Sequence, residues 1–337
     1  MSRLDCEKKG KWEGGRRKGK TGKETRYKDQ MGGALRSDEL KRHPYITRCW
    51  LSEVEEQGIA PSWMVAIDGC DWKCLFCNAP TAGSDSGFQL DDNGFDRILA
   101  EARSAGAETI QITGGEPARN LPLLFALVTE RSTMPVVLNT SLPEGITTDL
   151  ELLKPFAAII TTFKFGSDRC AQRIAGISRY VEPMQNRITK LAKAGLPLIV
   201  RHLLMPGHYH CCWQPVAQWL TSQDWQLPLS LLTGFMPPRQ APGAPELLQS
   251  LLAQEVQDGV ALARSLDVHC AISGERAGAF LSGSMPVSGE RAGETLDIVI
   301  GPTGRISLSG LNQGTASLVQ SLRPPTPPSD NGTGAKP

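Results

Sequence analysis

Residues 69–78 read Gly-Cys-Asp-Trp-Lys-Cys-Leu-Phe-Cys-Asn, three thiols at C-x3-C-x2-C spacing directly after the apolar run Trp63-Met64-Val65-Ala66-Ile67. The run predicts a buried strand, which sets the thiols on the loop leaving its carboxyl end. A structural zinc site closes its tetrahedron with four side chains. No fourth ligand stands close in sequence, since the flanking cysteines are Cys49 and Cys170 and the nearest histidine is His43. Iron-sulfur clusters are held by cysteine thiolates, usually four, so three on a four-iron cluster would leave one iron open. A zinc knuckle completed by a distant ligand and fortuitously spaced core cysteines are the other readings of these residues.

The spacing, with the aromatic Phe76 just before the third cysteine, resembles the cluster loop of the radical S-adenosylmethionine (SAM) superfamily. The resemblance implies that Cys70, Cys74 and Cys77 hold a [4Fe-4S] cluster whose open iron chelates the amino and carboxylate groups of SAM. It implies further that an electron from the cluster splits the sulfonium, giving a 5'-deoxyadenosyl radical that takes hydrogen from a substrate.

Composition agrees with a sizeable enzyme. The chain has 337 residues, 40% of them hydrophobic, enough for one large domain or two small ones. Nine cysteines, an odd number, and an opening Met1-Ser2-Arg3 that leads into charge and glycine argue against a secreted disulfide scaffold. No apolar run reaches the length of a membrane span. A cytoplasmic location is expected. Residues 1–30 hold 11 Lys or Arg against 5 Asp or Glu, which leaves the rest of the chain mildly acidic beneath an overall charge of +1. Such a glycine-rich basic segment is expected to be disordered. Nucleic-acid binding through it is not favoured, because the acidic body offers no matching face.

After the cysteine loop, strand and helix patterns alternate as in parallel βα units. A helix is expected from Asp92 to Ala105, a strand at Thr109–Thr113, a helix from about Asn120 through Val128, and strands at Pro135–Asn139 and Ala157–Thr161. A helix from Glu182 to Ala194, stopped by Gly195, precedes a strand at Leu196–Val200, with Arg201-His202 leaving that strand's carboxyl end. A short helix near Ala217–Thr221, a strand at Leu227–Leu232 and an amphipathic helix over Ala244–Leu266 follow. Apolar runs at 296–300 and 305–308 around Gly301-Pro302-Thr303-Gly304 predict a hairpin.

About six such units match the partial (β/α)6 TIM-type barrel typical of the superfamily, an α/β fold, with N- and C-terminal extensions. The organisation expected is a disordered basic tail (1–36), an N-terminal extension (37–62), a radical SAM core (63–240), a C-terminal extension (241–318) and a disordered Pro-rich tail (319–337). By analogy with closed barrels, the chemistry belongs at the carboxyl ends of the strands.

Gly114-Gly115-Glu116-Pro117, after the second core strand, resembles the superfamily motif that lines the methionine part of SAM; glycine there lets backbone approach a ligand closely. More stretches resemble a narrower branch, proteins similar to pyruvate formate-lyase activating enzyme: Leu138-Asn139-Thr140-Ser141, Phe163-Lys164-Phe165-Gly166, Arg173-Ile174-Ala175-Gly176 and residues 201–208. In that branch the lysine of an Asp-x-Lys triplet approaches the SAM carboxylate. Lys164 matches it, but Thr162 stands where the aspartate would be. Asn139 is a further SAM-contact candidate, and Phe76, Gly114, Gly115 and Glu116 complete the cofactor-binding set. The resemblance implies a reductant such as flavodoxin or ferredoxin as partner, and a protein substrate if the chain activates a glycyl-radical enzyme. A small metabolite, RNA, or no catalysis at all are the alternatives.

A second concentration is His202, His208, His210, Cys211 and Cys212, three of the five histidines and two of the nine cysteines within eleven residues. Imidazole and thiolate suit zinc or iron. A substrate-facing or structural loop is the reading preferred from sequence, because adjacent cysteines rarely ligate one ion well.

Overall fold

In the computed structural model, residues 43–53, 56, 59–79, 87–266, 270–273, 297–300 and 306–309 are described. Both tails expected to be disordered, residues 1–36 and 319–337, lie outside that set, as does the Gly301–Gly304 turn.

The strand before the cysteines, β2 (Ser62–Ile67), is buried along its whole length, as its unbroken apolar run requires in a sheet covered on both faces. It pairs antiparallel with β1 (Tyr45–Ser52), and β1 pairs with the short β3 (Phe88–Gln89). On its other side β2 pairs parallel with β4 (Thr109–Gly114), followed by β5 (Val136–Thr140), β6 (Ala158–Thr162), β7 (Leu198–Leu203), β8 (Leu229–Leu232) and β9 (Cys270–Ser273). The order β3-β1-β2-β4-β5-β6-β7-β8-β9 is that of an unclosed sheet whose parallel part runs in sequence. This is the α/β half-barrel expected, with seven parallel strands among the described residues instead of six. The added strand, β9, follows residues 267–269 and carries no strong sequence signal.

The crossovers are α1 (Asp92–Ser104), α2 (Leu121–Arg131), α3 (Asp168–Ala175), α4 (Val181–Lys193), α5 (Gln214–Thr221) and α6 (Ala253–Ser265). α1 begins where Asp91 accepts from the Gly94 N–H at 2.8 Å, an N-cap. Its apolar stripe, Phe95, Ile98, Leu99 and Ala102, is buried against the sheet. Alternation along the strands divides the interior. Val65, Ile112, Leu138, Ile159 and Val200 join the helices in the main core. Val137, Ala158, Ile160 and Ile199 lie on the opposite face, with Ile59 from the β1–β2 connection against them.

Three expectations are corrected. Arg201 and His202 lie inside β7, which starts at Leu198 and not at Leu196; Pro197 cannot donate to the ladder, and the Leu198 N–H turns back to Leu196 O at 2.8 Å. A charged residue is tolerated mid-strand because Arg201 Nε donates to Glu56 Oε1 at 2.7 Å, and Ser230 Oγ donates to the same oxygen at 3.0 Å. The helix near Ala217 begins earlier, at Gln214, and is preceded by a wide π-type turn over Tyr209–Trp213. The single helix expected over 244–266 is broken into a 3-10 turn, Pro245–Leu248, and α6. The break follows from two carboxylates: Glu246 faces His208 and Arg173, and Glu255 accepts from the Leu252 N–H at 2.9 Å, restarting the helix. The hairpin predicted near residue 300 is present as β10 (Asp297–Ile300) paired with β11 (Ile306–Ser309).

Candidate active site at the strand ends

The cysteine loop leaves β2 through Gly69, whose φ of +83° is a left-handed conformation that glycine adopts freely. The neighbouring loop after β4 is packed on it backbone to backbone. Gly115 N–H donates to Ile67 O at 2.8 Å, and Glu116 N–H donates to Gly69 O at 2.8 Å. A Cβ on Gly115 would sit 2.3 Å from Gly69 O, and one on Gly114, at φ +107°, 2.4 Å from Ile67 O. The Gly-Gly pair is therefore required for the two loops to meet, a reason separate from any ligand.

Glu116 turns inward. It is buried, accepts from Ala118 N–H at 3.0 Å and Thr140 Oγ1 at 2.6 Å through one oxygen, and from Ser141 N–H at 2.7 Å through the other. Burial pushes this carboxyl up, while the Thr140, Ser141 and Ala118 donors pull it down. It clamps the end of β4 to the end of β5. Asn139, half-buried, donates to Thr113 Oγ1 at 3.3 Å on the face opposite the helices.

The cysteine loop is held from below by a helix that the sequence did not predict. Leu75 N–H donates to Ile174 O at 2.9 Å, and Lys73 N–H to Ala175 O at 3.3 Å. These are carbonyls at the C-terminus of α3, which the helix itself cannot satisfy. Gly176, at φ +74°, ends α3 in the left-handed cap that exposes them.

Lys164 comes to the three thiols from the end of β6. It is partly buried; its Nζ donates to Ser141 Oγ at 2.8 Å and lies 5.0 Å from the centre of the Trp72 ring. Its backbone N–H donates to Tyr180 Oη at 2.7 Å, and Tyr180 packs edge-on against Trp72 and Phe165. Burial pushes the Lys164 ammonium down in pKa, while Cys74 and Glu116 oppose the shift. Burial pushes the Cys74 thiol up to about 11, against the pull of Lys164. Phe76 sits between Phe165 and Phe235, each ring centre 6.3 Å away. Thr162 contributes only its carbonyl, which accepts from Tyr180 Oη at 3.4 Å.

The geometry thus gathers Cys70, Cys74, Cys77 and Lys164 above the strand ends, with Gly114 and Gly115 adjoining and Glu116 bracing the floor. Trp72, Ser141 and Tyr180 belong to the same assembly and were not singled out from sequence. Trp72 was visible within the motif, but nothing marks a tyrosine sixteen residues after the lysine it positions. The three thiols are free, and Cys70 and Cys77 are exposed. This donor set fits a [4Fe-4S] cluster with one iron open.

Comparison with known proteins gives a match of residues 64–220 to the family model described as the Radical SAM superfamily. An uncharacterized protein of Methanocaldococcus jannaschii, MJ0674, is 22% identical over 240 residues, covering 67% of this chain and 69% of that protein. Among solved structures, a radical SAM methyltransferase from Sphaerobacter thermophilus aligns with TM-score 0.48 at 16% identity, covering 64% of this chain and 67% of that one. SuiB of Streptococcus suis, bound to SAM, aligns with TM-score 0.45 at 15% identity over 60% of this chain, which spans about half (48%) of SuiB. A domain of a pyruvate-formate lyase-activating enzyme from Bacteroides vulgatus aligns with TM-score 0.39 at 16% identity, covering 48% of this chain and 96% of that domain. No helix among the described residues is long and apolar enough to cross a membrane.

Proposed function

We propose, for a chain that belongs to the radical SAM superfamily, that it binds SAM over the Cys70-Cys74-Cys77 loop and abstracts hydrogen from a substrate entering at the carboxyl ends of the strands. When bound, the [4Fe-4S] cluster and SAM supply reductive cleavage of a carbon-sulfur bond and a carbon radical. The chain's own residues do the rest. Cys70, Cys74 and Cys77 hold the cluster, and Phe76 anchors the loop between two core aromatics. The backbone of Gly114 and Gly115 lines the methionine end of SAM, Lys164 meets its carboxylate, and Asn139 contacts it from β5. Glu116 keeps the strand ends in register through its three accepted hydrogen bonds.

The observation that carries this reading is the Lys164 ammonium, held by Ser141 and Trp72 beyond the carboxyl end of β6, on the same side of the sheet as the thiols that follow β2. Desolvation there strengthens its attraction for a carboxylate. With Thr162 in place of an acidic residue, β6 itself offers Lys164 no carboxylate, which leaves its ammonium to pair with the carboxylate of SAM. An external electron donor of the flavodoxin or ferredoxin kind completes the reaction.

Within this function we favour the activating-enzyme-like reading, with a glycyl-radical enzyme as protein substrate. It is supported by the stretches at 138–141, 163–166 and 201–208. The test is electron paramagnetic resonance of the anaerobically reconstituted, reduced chain with SAM, with and without a glycyl-radical enzyme encoded near its gene. A cluster signal altered by SAM, and a glycyl radical growing in the partner, support it. An altered cluster signal with no radical in the partner returns the choice to a small metabolite or RNA. No effect of SAM on the cluster rejects the function itself.

A further inference from the structure

Three cysteines and one histidine outside the proposed SAM site converge on one point. Cys170, in the first turn of α3, meets His208, Cys211 and Cys212 from the connection after β7, and the four ligand atoms all lie within 4.8 Å of one another. Cys170, His208 and Cys212 are buried and Cys211 is partly so. The wide π-type turn at Tyr209–Trp213 answers the objection to adjacent cysteines, because it turns both sulfurs toward the same imidazole. His208 Nδ1 lies 3.2 Å from Cys211 Sγ and 3.5 Å from Cys212 Sγ, and the two sulfurs are 3.9 Å apart. A tetrahedral ion with zinc's usual bond lengths has S···S edges of about 3.8 Å and N···S edges of about 3.5 Å. The three distances among His208, Cys211 and Cys212 are close to these edges, and Cys170 Sγ lies within 4.8 Å of each of the other three ligand atoms.

The surroundings are those of a metal-bound histidine. With Nδ1 turned to the sulfurs, the other ring nitrogen, Nε2, is 3.1 Å from Glu246 Oε1 and 3.2 Å from Arg173 Nη2, and Arg173, itself paired with that carboxylate at 2.5 Å, can donate to Glu246 and leave Nε2–H to do the same. A carboxylate accepting from the far nitrogen fixes the tautomer that presents Nδ1 as a ligand. Gly166 N–H is directed at Cys212. A Cβ on Gly166 would stand 2.5 Å from Cys212 O, so the loop after β6 is packed tightly on the turn. Glu246 reaches the site from the 3-10 turn that precedes α6.

We propose that Cys170, His208, Cys211 and Cys212 form a Cys3His site for one zinc ion, with Glu246 as the carboxylate partner of His208. Four protein ligands close the coordination sphere, so the ion is structural, and its thiol protons are released to solvent on binding. It joins α3 to the β7 connection. Because the C-terminal carbonyls of α3 carry Lys73 and Leu75, the ion braces the helix on which the cysteine loop hangs. Of the five histidines and cysteines in the 202–212 cluster, three are ligands. His202 instead stacks near Trp213 and contacts Phe163 O, and His210 pairs with Gln214.

The experiment uses the full chain and a Cys70→Ala/Cys74→Ala/Cys77→Ala variant that has lost the loop thiols. Both are purified without chelator for zinc analysis by mass spectrometry, then exchanged with cobalt as a spectroscopic probe. The proposal expects about one zinc per chain in both proteins, with the intense visible spectrum of tetrahedral, thiolate-bound cobalt. Cys170→Ser should lose the metal. Glu246→Gln, which leaves all four ligands in place, should weaken zinc by about 10–100-fold in competition with a chelator. If Cys170→Ser does not fold, the cobalt spectrum of the triple variant and the Glu246→Gln competition decide. Folded triple variant without zinc, a six-coordinate cobalt spectrum, or unchanged affinity in Glu246→Gln would overturn the proposal.

Discussion

Leu75 N–H donates to the carbonyl of Ile174 at 2.9 Å, so the loop bearing the three thiols is suspended from the C-terminus of a short helix contributed by the other half of the sheet. The position of Cys70, Cys74 and Cys77 thereby depends on how α3 ends.

Gly176 supplies that ending at φ +74°, with nothing within 4 Å of a would-be Cβ. Gly176→Ala should cost about 1 kcal/mol through backbone strain alone. Gly106, which follows α1 at φ +75° with equally open space, is the matched control. Both variants should show similar losses in thermal midpoint, and only Gly176→Ala should retain less iron after reconstitution. Equal iron in the two would show that the loop does not need this helix end.

Lys164→Met removes the ammonium held by Ser141 and Trp72. The iron content should be unchanged while SAM binding weakens roughly 10–100-fold, the value of one hydrogen bond to a charged group. Equilibrium dialysis of the reconstituted variant measures it. Unaltered affinity would make Lys164 a structural residue of the β6 end.

Arg201 and Glu56 form an ion pair with both side chains almost fully buried, 7% and 2% exposed. Arg201→Met leaves the Glu56 carboxylate without its charge partner and should cost about 3–5 kcal/mol. Adding Glu56→Gln should recover part of that loss in urea unfolding. A single variant as stable as the wild type would show that Glu56 does not depend on the Arg201 charge.

His202 is buried, its Nδ1 2.7 Å from Phe163 O, and burial pushes its imidazole down to about 4. An unfolded chain would protonate it near pH 6.5. Between those values the unfolded state binds the extra proton, so stability falls as pH drops from about 6.5 toward 4, by at most about 1.4 kcal/mol per unit. Above pH 6.5 this contribution is complete and flat. Urea midpoints at pH 5 and 7, compared with those of His202→Asn, should show a smaller pH response in the variant. An equal response would assign the acid sensitivity to other groups.

The cysteine loop and the parallel strands were legible because spacing and apolar runs are local signals. Trp63–Ile67, Thr109–Thr113 and Ala157–Thr161 each predict a strand within one or two residues of its place. α3 was not, because eight residues with only Cys170, Ala171, Ile174 and Ala175 buried give little periodicity, leaving only the Ser167 and Gly176 caps to mark it. The break before α6 was hidden for the opposite reason: the leucines at 247, 248, 251 and 252 continue a helical pattern that Glu246 and Glu255 interrupt through partners far along the chain. Arg201 reads as a residue outside a strand until Glu56, 145 residues earlier, is seen beside it. Gly114 and Gly115 were found for a ligand's sake, while the contact that demands them is the backbone of Gly69. Cys170 could not be joined to the 208–212 cluster from sequence, since only the β6 and β7 connections bring them together.

The most direct test of the account is an anaerobic assay for 5'-deoxyadenosine from SAM, driven by dithionite, with the reconstituted chain and Cys74→Ala side by side. The account predicts 5'-deoxyadenosine from the wild type and none from the variant. No product from a wild-type protein carrying its full complement of about four cluster irons, with substrate-free and partner-supplemented reactions alike, would contradict it.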